Sequence, residues 1–143
     1  MKRHYPEVPV PAVAAVIYHA DRWLLVKRRN PPSAGKWSVP GGVQEVGERV
    51  YEAVKREARE ETGLAVTRLE LLEAGDVIRH DDEGRVAYHY VILYYLAVPV
   101  GGELRAGDDV SEVGWFTLDE VKTLRLPDGM MDILLNAAKE TTR

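Results

Sequence analysis

The chain has 143 residues, of which 45% are hydrophobic and 29% charged, the proportions of an ordinary globular domain rather than of a disordered chain. The absence of cysteine excludes a disulfide framework, thiolate metal sites and a cysteine nucleophile. Nineteen basic against 23 acidic residues, a net charge of −4, disfavour a DNA-binding regulator, and no apolar run approaches the ~18 residues of a membrane helix, so the expected compartment is the cytoplasm.

No repeat, low-complexity tract or linker-like shift interrupts the sequence, and one domain spanning 1–143 is expected. Residues 10–19 and 22–28 predict two strands joined by a tight turn at Ala20-Asp21. Pro31, Pro32, Gly35, Pro40, Gly41 and Gly42 predict that 30–42 is mostly loop. From about Glu48 to Thr62 the composition turns helical, with Gly63 as the stop. Runs over about 66–79 and 86–99 predict an antiparallel hairpin, turning at Asp81-Asp82-Glu83-Gly84, whose acids are expected to be simple turn residues. A short strand over 112–117, a short helix capped by Thr117 and a terminal helix over 130–139 complete the pattern. Strands and helices without regular alternation make the class α+β with a mixed sheet.

The helix over 49–63 carries the chemistry. At ~100° per residue, Val50, Ala53, Val54 and Ala58 form one apolar stripe, and Glu52, Lys55 and Arg59 fall opposite it. Glu57 and Glu61 project into the middle of that stripe, with Glu60 at its edge. Two carboxylates one turn apart repel, and partly burying them costs several kcal/mol per ion unless something compensates. A hard divalent cation compensates most cheaply, and oxygen-only ligands suit Mg²⁺ or Mn²⁺; Arg56 is an alternative that neutralises part of the charge. Because Mg²⁺ is often completed by substrate phosphates, the cluster points to phosphoryl chemistry.

Gly42, Glu48 and the run Arg56-Glu57-Ala58-Arg59-Glu60-Glu61-Thr62-Gly63-Leu64 resemble the Nudix box over 42–64: a glycine, five residues, a glutamate, seven residues, then Arg-Glu-aliphatic-x-Glu-Glu-x-Gly-aliphatic. The entry loop Trp37-Ser-Val-Pro-Gly-Gly42 is also similar to that of the family. The resemblance implies an α/β/α sandwich and hydrolysis of a diphosphate linkage in a nucleoside diphosphate joined to another moiety, with Mg²⁺ or Mn²⁺ as cofactor. It further implies that Glu57, Glu60 and Glu61 ligate metal, with the Gly41 carbonyl as a further ligand. Arg56 would orient the neighbouring carboxylates, and Glu48 would serve behind them and cap the helix. The general base implied is Glu57 first and Glu112 second.

For substrate contacts, Arg28 and Arg29 end a strand beside the box, and Arg79 ends another; guanidiniums there would grip phosphates. Alternation puts Tyr88, Tyr90, Ile92 and Tyr94 on one strand face, where Tyr90 is the candidate for stacking a base, with core packing as the plainer role. The strand resembles that of ADP-ribose pyrophosphatase-like members. The short N-terminus and the lack of proline between Gly63 and Pro99 depart from the larger pyrophosphatases, which leaves nucleoside triphosphates and dinucleotides beside ADP-ribose. Expected partners are a nucleotide and, for assembly, a second copy in a homodimer, with no stable nucleic-acid or membrane partner. The alternative function is a non-catalytic nucleotide-binding module or sensor on the same fold.

Overall fold

A computed structural model describes residues 2–142, so the expected span reaches one residue beyond the described residues at each end. The first strand, β1 (Val10–Val16), is buried along nearly its whole length. It is central: β5 (Gly41–Val43) runs antiparallel on one side, and β7 (Val86–Gly102) runs parallel on the other, with β6 (Leu64–His80) antiparallel beyond it. A continuous apolar run suits a strand covered on both faces.

The predicted 10–19 strand is divided. After the wholly buried Ile17 the chain leaves this sheet, and β2 (Tyr18–His19) pairs with β3 (Arg22–Arg28) in a second one. Ala20 and Asp21 both have positive φ, 51° and 61°, the handedness a two-residue hairpin needs. On β3, β4 (Trp37–Ser38) lies on the same side as β2, and β8 (Val110–Phe116) on the other. The expected loop over 30–42 is therefore loop only at 30–36 and 39–40, because Trp37–Ser38 and Gly41-Gly42 gain backbone partners from β3 and β1 that no local pattern announces.

Helix α1 (Val50–Thr62) buries the stripe its spacing predicts. Ala53, Val54 and Ala58 have no exposed surface and pack with Val13, Ala15 and Ile17; Glu52, Lys55 and Arg59 are exposed. Burying Val54 alone contributes on the order of 2 kcal/mol. Gly63 ends the helix at φ 80°, donating its N–H to the Arg59 carbonyl at 2.9 Å, and a Cβ there would collide with the Glu103 carbonyl.

The alternate residues of β1, Ala14 and Val16, face the other way, onto α3 (Met130–Thr141) through Leu134 and Ala137. Short α2 (Leu118–Val121) opens with the reciprocal cap expected of Thr117, whose hydroxyl accepts from the Glu120 N–H at 3.3 Å. The Trp23 indole donates to the Leu134 carbonyl at 2.8 Å and ties α3 to the second sheet. With α1 on one face and α3 on the other, the molecule is an α/β/α sandwich of α+β class with a mixed sheet.

Candidate functional site

The site forms where three pieces of chain meet: the end of β3, the Pro40-Gly41-Gly42 entry to β5, and the last two turns of α1. Glu61 is 4% exposed. Its Oε1 accepts from the Gly41 N–H at 2.9 Å, and its Oε2 from Arg28 Nη1 at 2.6 Å. Arg28 also donates from Nε to Ser38 Oγ at 2.9 Å and from Nη2 to the Val39 carbonyl at 2.6 Å, so each of its three nitrogens has a partner within the protein. It orients Glu61 rather than presenting a free fork to a phosphate.

Arg56 is the second hub. Its Nε and Nη2 grip both oxygens of Glu48 at 2.6 and 3.0 Å; Nη1 reaches Glu57 Oε1 at 2.7 Å and Glu60 Oε2 at 3.1 Å. Nη2 also donates to the Val43 carbonyl at 3.0 Å, fastening α1 to β5. Glu48 thus stands behind the cluster as the resemblance implies, but it does not cap the helix. It accepts from the Glu45 N–H at 3.1 Å and closes the preceding turn, while Glu52 reaches back to the Arg49 N–H at 2.9 Å as the reciprocal cap.

Gly42 lets the Glu57 carboxylate come this close, and Gly41 lets β5 lie against β1. A Cβ on Gly42 would lie 2.5 Å from the Glu57 carboxylate, and one on Gly41 would strike the Val13 carbonyl.

Burial pushes the Glu57 carboxyl above its ordinary range against the pull of Arg56, with the Glu61 and Glu60 charges adding to the rise. Burial likewise raises Glu61, opposed by Arg28 and the Gly41 N–H and reinforced by Asp109. Glu48 goes the other way, held low by its hydrogen bond to Arg56, which itself is driven up first by Glu48.

Compensation for the buried acids therefore comes first from two arginines. Arg56 is the alternative that the sequence offers, and Arg28 is an addition. Among the described residues no three acidic or imidazole groups converge on one point, because the guanidiniums draw Glu61 one way and Glu57 and Glu60 the other. Five carboxylates, Glu45, Glu48, Glu57, Glu60 and Glu61, lie within ion-pair distance of these two cations, so three negative charges are left over. An oxygen-only donor set with that surplus fits a hard divalent ion such as Mg²⁺ or Mn²⁺.

The cluster opens into a cavity of about 460 Å³ over the α3-side face of the first sheet. Glu57, Glu60, Glu61, Gly41 and Arg56 line one end. The predicted aromatic face supplies the floor with Tyr90, Ile92 and Tyr94, and Arg79 and Arg3 also border it. Burial raises the Tyr90 hydroxyl, and the Arg3 charge acts against that rise.

Two expected contacts lie elsewhere. Glu112 is outside the cavity lining; it is exposed on β8 and pairs with Lys27 at 3.4 Å, because its register opposite Lys27 turns it outward. Arg29 bonds the Val110 carbonyl at 3.2 Å and, through its own N–H, the Asp109 carbonyl, bracing the segment that leads into β8. That segment brings in a residue the sequence reading passed over. The Gly107 N–H binds the Glu61 carbonyl, and Asp109 lines the cavity near Glu61. Its signal was its place one residue before β8, the strand that pairs with the Arg28 end of β3.

The family model described as NUDIX domain matches residues 8–135. The chain is 39% identical over 116 residues to the ADP-ribose pyrophosphatase of Methanocaldococcus jannaschii, covering 81% of this chain. It spans 66% of that relative's length, just under two thirds. Among solved structures it is similar to a MutT NUDIX hydrolase from Burkholderia pseudomallei, with a TM-score of 0.79 and 36% identity over 91% of this chain and 98% of the other. The NUDIX domain of Shewanella oneidensis NrtR, solved in complex with ADP ribose, matches with a TM-score of 0.77 and 25% identity over 95% of this chain and 90% of that domain. The chain belongs to the Nudix family.

Proposed function

We propose that this protein hydrolyses a diphosphate linkage within a nucleoside diphosphate joined to another moiety, with ADP-ribose as the first substrate to test. The observation that carries this reading is the pairing of Glu57 and Glu61, two acids drawn into the protein one helical turn apart, at the mouth of a cavity with a tyrosine floor. The name of the Methanocaldococcus relative and the ADP ribose bound to the Shewanella domain support the choice of ADP-ribose.

Glu57, Glu60, Glu61 and the Gly41 carbonyl are the groups that would hold Mg²⁺ or Mn²⁺, with Glu57 and Glu61 each turning partly away from its guanidinium. Such an ion supplies charge for the bridging phosphates and lowers the pKa of a bound water. The chain's own residues do the rest. Arg28 and the Gly41 N–H fix the Glu61 carboxylate, and Arg56 fixes Glu57 on one oxygen, leaving its other free. Glu57, whose second oxygen Arg56 leaves free, is the first candidate to take the proton from the attacking water. Asp109 replaces Glu112 as the second candidate base, because it borders the cavity and Glu112 does not. Tyr90 and Ile92 give the organic part of the substrate an apolar floor.

A panel of ADP-ribose, dinucleoside polyphosphates, CDP-alcohols and normal and oxidised nucleoside triphosphates, assayed with Mg²⁺ and Mn²⁺, tests the reading. Turnover of ADP-ribose or of another member supports hydrolysis. Saturable ADP-ribose binding with no turnover of any compound would make the chain a nucleotide-binding module instead.

A further inference from the structure

The arginines bordering the cavity are of two kinds. Arg28 and Arg56 are ion-paired, Arg28 with Glu61 and Arg56 with several glutamates. Arg3 and Arg79 have, among the described residues, no acidic partner, and Arg79 makes only a hydrogen bond to the Ile78 carbonyl at 3.2 Å. Asp76 also borders this end of the cavity, but it faces His89 at 3.2 Å.

Arg3 belongs to an N-terminal arm that is strapped down. The Tyr5 N–H donates to the Ala87 carbonyl and its hydroxyl to Asp81 Oδ2, both at 2.8 Å. The Arg85 guanidinium covers the Tyr5 ring at 4.8 Å. His4 stacks on Tyr88 at 4.9 Å, and Tyr88 stacks in turn on Tyr90 at 6.4 Å. The arm is fastened to the outer end of the β6–β7 hairpin, which keeps Arg3 at the cavity rim.

Strand register sets the spacing. Ala14 of β1 pairs with Gly41 beside Glu61, and Val10 pairs with Tyr90. Four residues at ~3.3 Å each place Tyr90 ~13 Å from the glutamates, and Arg79, opposite Tyr88, ~20 Å away. A nucleotide laid along the sheet, diphosphate at the glutamates and nucleoside over Tyr90, comes within reach of the long Arg3 and Arg79 side chains, which reach back from the rim along the cavity they border; the Arg3 charge is felt at the Tyr90 hydroxyl.

Resting on the nucleotide reading above, we propose that Arg3 and Arg79 form a second anion subsite, which takes a phosphoryl group carried on the nucleoside end of the substrate, separate from the diphosphate at the glutamates. Guanidiniums suit that role because their fork matches phosphate oxygens bidentately.

Calorimetry on the full chain compares AMP with the 2′,5′- and 3′,5′-bisphosphates of adenosine. One bisphosphate is expected to bind roughly tenfold tighter than AMP or better. Arg3→Ala and Arg79→Ala should each shrink that margin, Arg3→Lys should retain part of it, and Tyr5→Phe, which only loosens the arm, should lower it by less than Arg3→Ala. AMP binding with no margin for either bisphosphate overturns the subsite and leaves the nucleotide reading standing, as does a margin untouched by Arg3→Ala. No binding of any of the three compounds overturns the subsite, while turnover in the substrate panel decides the nucleotide reading separately.

Discussion

Arg28 and Glu61 form a buried ion pair across 33 residues of sequence, Nη1 to Oε2 at 2.6 Å, with Arg28 also bonded to Ser38 and the Val39 carbonyl. The contact joins the end of β3 to the end of α1 over the entry to β5. It sets the direction of a carboxylate that the helix alone leaves free to rotate. Removing one partner of such a pair leaves a buried charge uncompensated, so Arg28→Ala should cost ~3 kcal/mol of stability. Arg28→Ala combined with Glu61→Gln should recover part of that loss. Urea denaturation of the four proteins in the cycle checks this, and strictly additive penalties would contradict the pairing.

Gly41 and Gly42 are neighbours with different jobs, and alanine should separate them. At Gly42 the added methyl meets the Glu57 carboxylate, a side chain that can swing aside, so the protein should stay folded and lose activity. At Gly41 it meets the Val13 carbonyl and Ala14, which are backbone and core, so overpacking should cost ~1–3 kcal/mol or more. Thermal melting beside a turnover assay distinguishes the two outcomes.

Glu57→Gln should lower kcat by ~10²–10⁴-fold if this carboxylate accepts the proton from water. Glu61→Gln should keep the fold and abolish Mg²⁺-dependent turnover. Glu112→Gln should leave kcat unchanged, because that side chain pairs with Lys27 outside the cavity. A large loss in the Glu112 variant would restore it as a base and displace Asp109.

Asp81 accepts four hydrogen bonds, from Tyr5, the Glu83 and Arg85 backbone and the Arg85 guanidinium, which makes it more than a turn residue. These bonds, the Tyr5 hydroxyl foremost, hold its carboxyl down at about 2, below the ordinary 3.8. A carboxylate with a depressed folded-state pKa stabilises the protein above its unfolded pKa, and the contribution is lost as pH falls through the folded value. The stability difference between wild type and Asp81→Asn should therefore be greatest near neutral pH. It should shrink from about pH 4 and vanish near pH 2, as followed by urea midpoints across that range. A difference independent of pH would show that the carboxylate charge is not what holds the arm.

The sequence by itself determined the elements whose signals are local. Apolar spacing placed α1 and put Glu57 and Glu61 on its buried face; Gly63, Thr117 and the Asp81–Gly84 turn marked where elements stop and start. The same locality made the box legible, because its carboxylates share two turns of one helix. Tertiary structure decided whatever depends on which strand lies beside which. It divided the 10–19 run at Ile17, gave β4 and β5 their partners, and set Arg28 on Glu61 rather than toward solvent. Strand register turned Glu112 outward and carried Asp109 to the cavity, and rings stacked on the hairpin brought Arg3 to its rim. A side chain's periodicity says which face it occupies; only the pairing of distant strands says what stands opposite, and in a crowded acidic pocket that neighbour determines whether a charge is compensated.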